Sequence, residues 1–149
     1  MTNRILITFG ALIFGLLVPM IEIDATHVFN PEWPPHARLH EVRQLMTNSM
    51  LALLCLWLVW RHDAIRMAAA IGATVTGGFL AAYAIRSGYD GSMALGADGI
   101  GRALGGYNLG VVFFSVVFAV FLLAFVRSGK RRGSHASVLP AMGCGRRLS

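Results

Sequence analysis

Four long apolar runs, separated by short polar segments, organise the chain. They cover about residues 5–21, 45–60, 64–85 and 108–126. Each run approaches the roughly 17–25 residues that an α-helix needs to cross about 30 Å of hydrocarbon. The pattern therefore predicts an all-α fold, a bundle of four transmembrane helices that forms one domain over residues 1–126.

Proline and polar turns mark the ends of these helices. Pro19 is expected to kink or end the first helix, which we interpret as an uncleaved span because its apolar run is longer than that of a typical signal peptide. Proline is tolerated in a first helical turn, so the second helix is expected to begin near Pro35 and to reach Trp60. The tight polar turn of residues 61–63 then makes the second and third helices antiparallel neighbours.

Small residues dominate the third helix and form two ridges at intervals of four residues. The first ridge comprises Ala69, Ala73, Gly77 and Ala81, and the second comprises Ala70, Thr74, Gly78 and Ala82. Small residues at this spacing let helix backbones approach closely within a membrane. We expect this helix to be the packing centre of the bundle, and contact within a homo-oligomer is an alternative use of the same ridges.

Composition agrees with a membrane protein. The chain has 149 residues, of which 56% are hydrophobic and only 13% are charged, whereas about 25% are charged in a typical soluble domain. The expected location is the inner (plasma) membrane, with several passes through the lipid bilayer.

The net charge of +6 comes entirely from residues 127–149, which hold six Lys or Arg and no acid. We predict a basic, disordered cytoplasmic tail there. No nucleic-acid partner is expected, because the tail lacks the aromatic residues or the fold that nucleic-acid binding requires. Nine basic residues lie on the side of the tail and four on the other side, which favours an N-in/C-in orientation.

A polar, proline-rich segment, residues 22–44, separates the first two apolar runs. It holds four of the seven acidic residues and three of the five histidines. If the second helix begins at Pro35, one of its faces carries a polar stripe. The stripe comprises His36, His40, Arg43 and Thr47. We expect it to descend from the surface into the bundle and to meet Asp24 and His27.

Metal binding is one chemistry that this segment suggests, because two histidines one helical turn apart commonly hold a divalent ion. The candidate ligands are Asp24, His27, His36 and His40, with Glu22 as an alternative to Asp24. A mixed set of this kind suits Zn, Fe, Mn or Cu. The HxxxH pattern lacks the acidic second position of the HExxH motif, where this chain has Ala37.

A metal-free acid–base or ligand site is the second interpretation, because histidine is the usual proton carrier near neutral pH. Its candidate catalytic residues are Asp24, His36, His40, Glu41 and Arg43. The third interpretation is a structural loop, in which polar side chains lie at the water boundary without a chemical role.

The sequence from Asp24 to His40, DATHVFNPEWPPHARLH, resembles that of an uncharacterised family of small four-helix membrane proteins. These proteins share a signature near TH-x-FNP-x-WPPHAR-x-H. The motif maps onto Thr26, His27, Phe29, Asn30, Pro31, Trp33, Pro34, Pro35, His36, Ala37, Arg38 and His40. The resemblance implies the four-helix fold and a suspected site in the loop, but it implies no reaction.

These observations favour a membrane protein with a polar site at the outer membrane–water interface, acting as an enzyme on a lipophilic small molecule. The alternative is a non-catalytic protein that binds a lipid or a protein through the rigid loop and the small-residue helix faces. The sequence leaves open whether the protein is an enzyme. Ion transport ranks last, because the four runs carry no ionisable group near the bilayer midplane.

Overall fold

The computed structural model describes residues 1–91 and 108–136, with side chains through Gly129. Over these residues the protein consists of helices α1 (Thr2–Glu22), α2 (Pro35–Arg61), α3 (Ile65–Ala84) and α4 (Leu109–Ala136). A short 3-10 turn, Arg86–Tyr89, follows α3. Each helix contains a stretch long and apolar enough to cross a membrane. The predicted all-α fold with four candidate spans is confirmed, while the N-in/C-in orientation and the plasma-membrane location stay predictions.

Successive helices run antiparallel, as the contacts at one end of the bundle show. Arg4, near the start of α1, forms a salt bridge of 3.1 Å with Asp63 in the turn between α2 and α3. The guanidinium of Arg66, at the start of α3, lies 4.6 Å from the ring centroid of Phe125 in α4. We call this end of the bundle the turn end. The opposite end, which holds residues 22–35 and 85–91, is the loop end.

Helix α1 continues past Pro19 by changing its hydrogen-bond pattern. Residues Ile13–Leu17 form a π-helical turn, and the α-helix resumes over Val18–Glu22. Because proline has no N–H group, the carbonyl of Gly15 loses its usual donor four residues later. The hydroxyl of Ser49 in α2 donates to that carbonyl at 2.8 Å and shares the same proton with the carbonyl of Leu45, one turn earlier in α2, at 3.0 Å. Pro19 therefore does not end the helix, which reaches Glu22.

The boundaries of the other helices follow the sequence signals in part. Helix α2 begins at Pro35 and ends at Arg61, as predicted. Helix α4 ends at Ala136 rather than at Val126, so residues 127–136 continue the helix instead of beginning a disordered tail. No proline interrupts the chain there. The rest of the tail, residues 137–149, and most of the glycine-rich stretch, residues 92–107, lie outside the described residues.

The core is built around the aromatic ring of Phe121 in α4, which is fully buried. A Cβ atom added to Gly10 in α1 or to Gly72 in α3 would overlap this ring. The ring of Phe14 packs against it, with centroids 6.0 Å apart. The two glycines therefore provide the space in which α1, α3 and α4 close around one side chain.

Helix α3 packs against each of the other three helices, in agreement with its predicted central position. Its buried residues are Ala68, Ala69, Gly72 and Thr76. The predicted second ridge is not part of this core, because Thr74 and Ala82 are exposed and a Cβ atom at Gly78 would meet nothing within 4 Å. Small residues lie on nearly every face of α3, so their spacing alone does not select the buried face.

Candidate functional site

Asp24 fixes the first part of the loop between α1 and α2 through its own side chain. Its Oδ1 accepts hydrogen bonds from the backbone N–H groups of Thr26 (2.8 Å) and His27 (3.1 Å), and from the Thr26 hydroxyl (2.7 Å). Aspartate commonly organises a turn in this way. The hydrogen bond from the Thr26 hydroxyl is the main cause that lowers the pKa of Asp24 below its ordinary value. This carboxylate is therefore ionised at neutral pH.

Asn30 and two prolines fix the second part of the loop. The side-chain amide of Asn30 donates to the carbonyl of Thr26 at 3.0 Å, and its oxygen accepts from the N–H group of Glu32 at 2.9 Å. Pro34 then precedes α2, and Pro35 occupies its first turn. Polar side chains thus satisfy backbone groups that regular secondary structure would otherwise satisfy, and they give the loop a defined shape.

The last residue of α1, Glu22, pairs with His27 in this loop. Nε2 of His27 lies 2.9 Å from Oε2 of Glu22, and the two side chains are only 20% and 28% exposed. The imidazole ring also packs edge-on against the ring of Trp33, with centroids 5.8 Å apart. The loop therefore holds an ionisable pair in a shielded position where α1 leaves the bundle.

The hydrogen bonds around His27 assign the proton on its ring. Because Asp24 is ionised, the single hydroxyl proton of Thr26 is donated to Asp24. The Thr26 oxygen, 2.8 Å from Nδ1 of His27, is then free to accept the proton of that nitrogen. The network thus assigns a protonated Nδ1. Nε2 of His27 then faces Oε2 of Glu22 at 2.9 Å, so a proton on either atom would form a hydrogen bond between them.

Glu41 joins this pair from α2. It lies one helical turn before Leu45, which is 2% exposed, and therefore faces the bundle. Burial is the strongest influence on the Glu22 carboxyl group, and the negative charges of Glu41 and Asp24 also act on it. We call Glu22, His27 and Glu41 the loop-end cluster.

The predicted polar stripe on α2 faces away from the bundle. It comprises His36, His40, Arg43 and Thr47, all of which are exposed. Helix α2 instead packs through a neighbouring face, on which Glu41 and Leu45 lie. This face is rotated from the stripe by about 100°, the angle between adjacent helical residues. The stripe therefore does not descend into the bundle and does not meet Asp24 and His27.

The structure does not support the predicted metal site. Within residues 1–91 and 108–136, no three His, Cys, Asp or Glu side chains are arranged to hold a metal ion. Nε2 of His36 and Nε2 of His40 lie 2.9 Å apart, and the guanidinium of Arg43 donates to Nδ1 of His40 at 3.3 Å. These contacts occupy lone pairs that a metal would need, beside a positive charge. His27 is engaged separately with Glu22 and Asp24.

Comparison with known protein families finds one family that matches most of the chain. A family described as "Family of unknown function (DUF6640)" matches residues 6–136, which extend from the first turns of α1 to the end of α4. The chain belongs to the DUF6640 family. The predicted membership of an uncharacterised family is thereby confirmed. No curated protein and no solved structure matches the chain.

In this DUF6640 protein only part of the predicted site comes together. His27 contacts Glu22, and Asp24 supports His27, whereas His36, His40 and Arg43 lie on the exposed face of α2. Glu22 entered the sequence interpretation only as an alternative metal ligand. Its position in the sequence could have indicated the pair, because this carboxylate ends an apolar run and precedes a histidine by five residues.

Proposed function

We propose that this DUF6640 protein is a membrane protein in which Glu22 and His27 exchange a proton with a lipophilic small molecule at the membrane–water interface. The 2.9 Å contact between Nε2 of His27 and Oε2 of Glu22, a distance at which one proton can be shared, carries the proposal. A positioned carboxylate or imidazole that gains and loses a proton near neutral pH is the basis of general acid–base catalysis.

Distinct roles follow for the residues around the pair. Glu22 is the group that would give and take the proton, because both ring nitrogens of His27 already have partners. His27 is a positioning residue that holds the carboxyl group and stabilises its charge. Asp24 acts through Thr26, because its ionised carboxylate fixes the tautomer of His27. Burial of the Glu22 carboxyl group and the like charge of Glu41 both act on the pair.

Apolar surface beside the pair supports a lipophilic partner. Ile21 and Ile23 flank Glu22 in sequence, and Phe29 lies two residues after His27; all three side chains are mostly or substantially exposed. We expect a molecule dissolved in the bilayer to approach the pair over these side chains. Apolar surroundings with a few placed polar groups are typical of small-molecule sites.

A non-catalytic role is the second candidate, and one observation favours it. Oδ1 of Asp24 accepts three hydrogen bonds, and both nitrogens of His27 have partners within the chain. Side chains that are engaged in this way give a rigid loop surface, and such a surface is suited to holding a lipid or protein partner without chemistry.

Solvent-proton exchange into lipophilic probes tests the proposal. The full chain in phosphatidylcholine vesicles is incubated in D2O with a sterol ketone and a short-chain quinone, and mass spectrometry follows deuterium incorporation. The wild type is expected to change at least one probe. Glu22→Gln is expected to slow that change by roughly 10²–10⁴-fold, the usual contribution of a general acid or base. His27→Gln is expected to slow it less.

The matched control is His62→Gln, at the turn end, where the ring of His62 packs at a tilt against that of Trp57 with centroids 4.1 Å apart. This variant is expected to behave like the wild type. Equal rates in the wild type and in Glu22→Gln would refute the proposal. Retention of a probe by the wild type without any exchange would also refute it, in favour of the non-catalytic candidate.

A further inference from the structure

A cavity of about 1000 Å³ lies at the turn end, at the opposite end of the bundle from the loop-end cluster. It is formed where the first turns of α1, the first turns of α3 and the C-terminal part of α4 meet. Trp60, Ala70 and Phe125 contribute apolar wall, and Arg4 and Arg66 contribute positive charge. A space of this size with both kinds of lining is suited to an amphiphile rather than to an ion alone.

Positive charge predominates around this cavity. Arg4 is paired with Asp63 at 3.1 Å. Arg66 lies over the ring of Phe125, and among the side chains that the structure describes it has no carboxylate within salt-bridge distance. Arg127 is exposed at the same end. An anionic group is therefore the electrostatic complement of the cavity.

The cavity is also continuous with the apolar outer surface of the bundle. Ile5 and Met67 line it and are 61% and 59% exposed. On helices that are apolar enough to span a membrane, such side chains face acyl chains. Ala70 lies one helical turn deeper along α3 than Arg66, so the charged and apolar parts of the lining are separated along the helix as the head and tail of a lipid are.

We infer that this cavity binds an anionic phospholipid, with the phosphate at Arg66 and one acyl chain against Ala70 and Phe125. In the predicted N-in/C-in orientation the cavity opens toward the cytoplasmic leaflet, where anionic lipids attract basic residues next to transmembrane helices. The proposed proton exchange at the loop end does not depend on this site, because the two lie at opposite ends of the bundle.

Native mass spectrometry of the full chain in neutral detergent tests the inference. Phosphatidylglycerol and phosphatidylcholine with the same acyl chains are added in parallel, and bound lipid is counted. The wild type is expected to retain phosphatidylglycerol preferentially. Arg66→Gln is expected to weaken its binding about fivefold, the effect of one basic residue at a lipid surface. Arg61→Gln, at the same end but outside the cavity lining, is expected to leave binding unchanged.

A second variant separates the cavity from diffuse surface charge. Ala70→Phe fills the cavity without changing any charge and is expected to reduce lipid binding, while circular dichroism and gel filtration report that the bundle is folded. Inorganic phosphate is expected to compete weakly, because it lacks the acyl chain. Equal binding of the two lipids would overturn the inference. So would equal losses in Arg66→Gln and Arg61→Gln, or unchanged binding in Ala70→Phe.

Discussion

The hydroxyl of Ser49 in α2 donates a hydrogen bond of 2.8 Å to the carbonyl oxygen of Gly15 in α1, 34 residues away in the chain. Pro19 deprives the same carbonyl of its helical N–H donor. The contact lies where the helices approach closely, because a Cβ atom at Gly15 would overlap that of Ala52. One hydroxyl therefore joins two helices and also compensates for a proline.

Replacement of this hydroxyl is predicted to cost more than loss of an ordinary surface hydrogen bond. Ser49→Ala is expected to destabilise the protein by about 1–2 kcal/mol, because the Gly15 carbonyl loses a donor in apolar surroundings. In a Pro19→Ala background an N–H group becomes available to that carbonyl, so the same substitution is expected to cost less than half as much. Reversible unfolding in detergent micelles measures all four proteins of this cycle.

Ser115→Ala is the matched control for Ser49→Ala. The hydroxyl of Ser115 is exposed and donates to the carbonyl of Val111 in its own helix at 2.8 Å, so its loss is expected to change stability by less than about 0.5 kcal/mol. Equal costs of Ser49→Ala in the presence and absence of Pro19 would show that the proline and the serine are not coupled.

The glycines around Phe121 yield a second prediction. Gly72→Ala is expected to destabilise the bundle by about 1–3 kcal/mol, because its new methyl group would overlap the buried ring of Phe121. Gly78→Ala, on the exposed face of the same helix, meets nothing within 4 Å. It is expected to be neutral or to stabilise by up to about 1 kcal/mol, since alanine has the higher helix propensity.

A compensating substitution distinguishes overlap with the ring from a general intolerance of alanine. Phe121→Leu reduces the side chain over Gly72, so Gly72→Ala is expected to cost less in that background than in the wild type. Circular dichroism during unfolding in micelles measures the cost of Gly72→Ala in the wild type and in the Phe121→Leu background. Similar losses of stability in Gly72→Ala and Gly78→Ala would contradict the close packing of the Phe121 ring against Gly72.

Much of the fold was predictable because each helix boundary has a local cause. The apolar runs are long, Pro35 is suited to a first helical turn, and residues 61–63 are too few for anything but a reversal. The path of α1 through Pro19 was not predictable in the same way. It depends on a π-helical turn and on Ser49, a residue in another helix, and no pattern around Pro19 reports that contact.

The site was predictable only in its location. Helical spacing correctly places His36 and His40 on one face, and their Nε2 atoms are 2.9 Å apart. The spacing does not state which face of α2 the other helices cover. That choice follows from the burial of Leu45, which places Glu41 on the face toward the bundle and turns the two histidines outward. The sequence interpretation chose the face of α2 that lies one residue, about 100°, away from the packed face. It therefore selected the exposed His36 and His40 as the inward-facing residues in place of Glu41.

The turn around Asp24 yields a pH-dependent prediction. Its carboxylate has a lowered pKa in the folded protein, mainly through the hydroxyl of Thr26. The turn is therefore stabilised above the unfolded pKa of Asp24, and this contribution is lost as the pH falls through the folded pKa. Thr26→Val removes the hydroxyl, so the pKa of Asp24 is expected to rise toward its ordinary value and the turn to open at a higher pH. Carboxyl ¹³C NMR in micelles measures the titration.

Thr47→Val is the control for that substitution, because the Thr47 hydroxyl donates to the carbonyl of Arg43 within α2 at 2.8 Å. It is expected to leave the titration of Asp24 unchanged. Ring ¹⁵N spectra of the same samples report His27, whose Nδ1 loses its Thr26 acceptor in Thr26→Val. The ring is therefore expected to exchange between tautomers in that variant, and a single Nδ1–H tautomer there would contradict the role of Thr26 in fixing the tautomer.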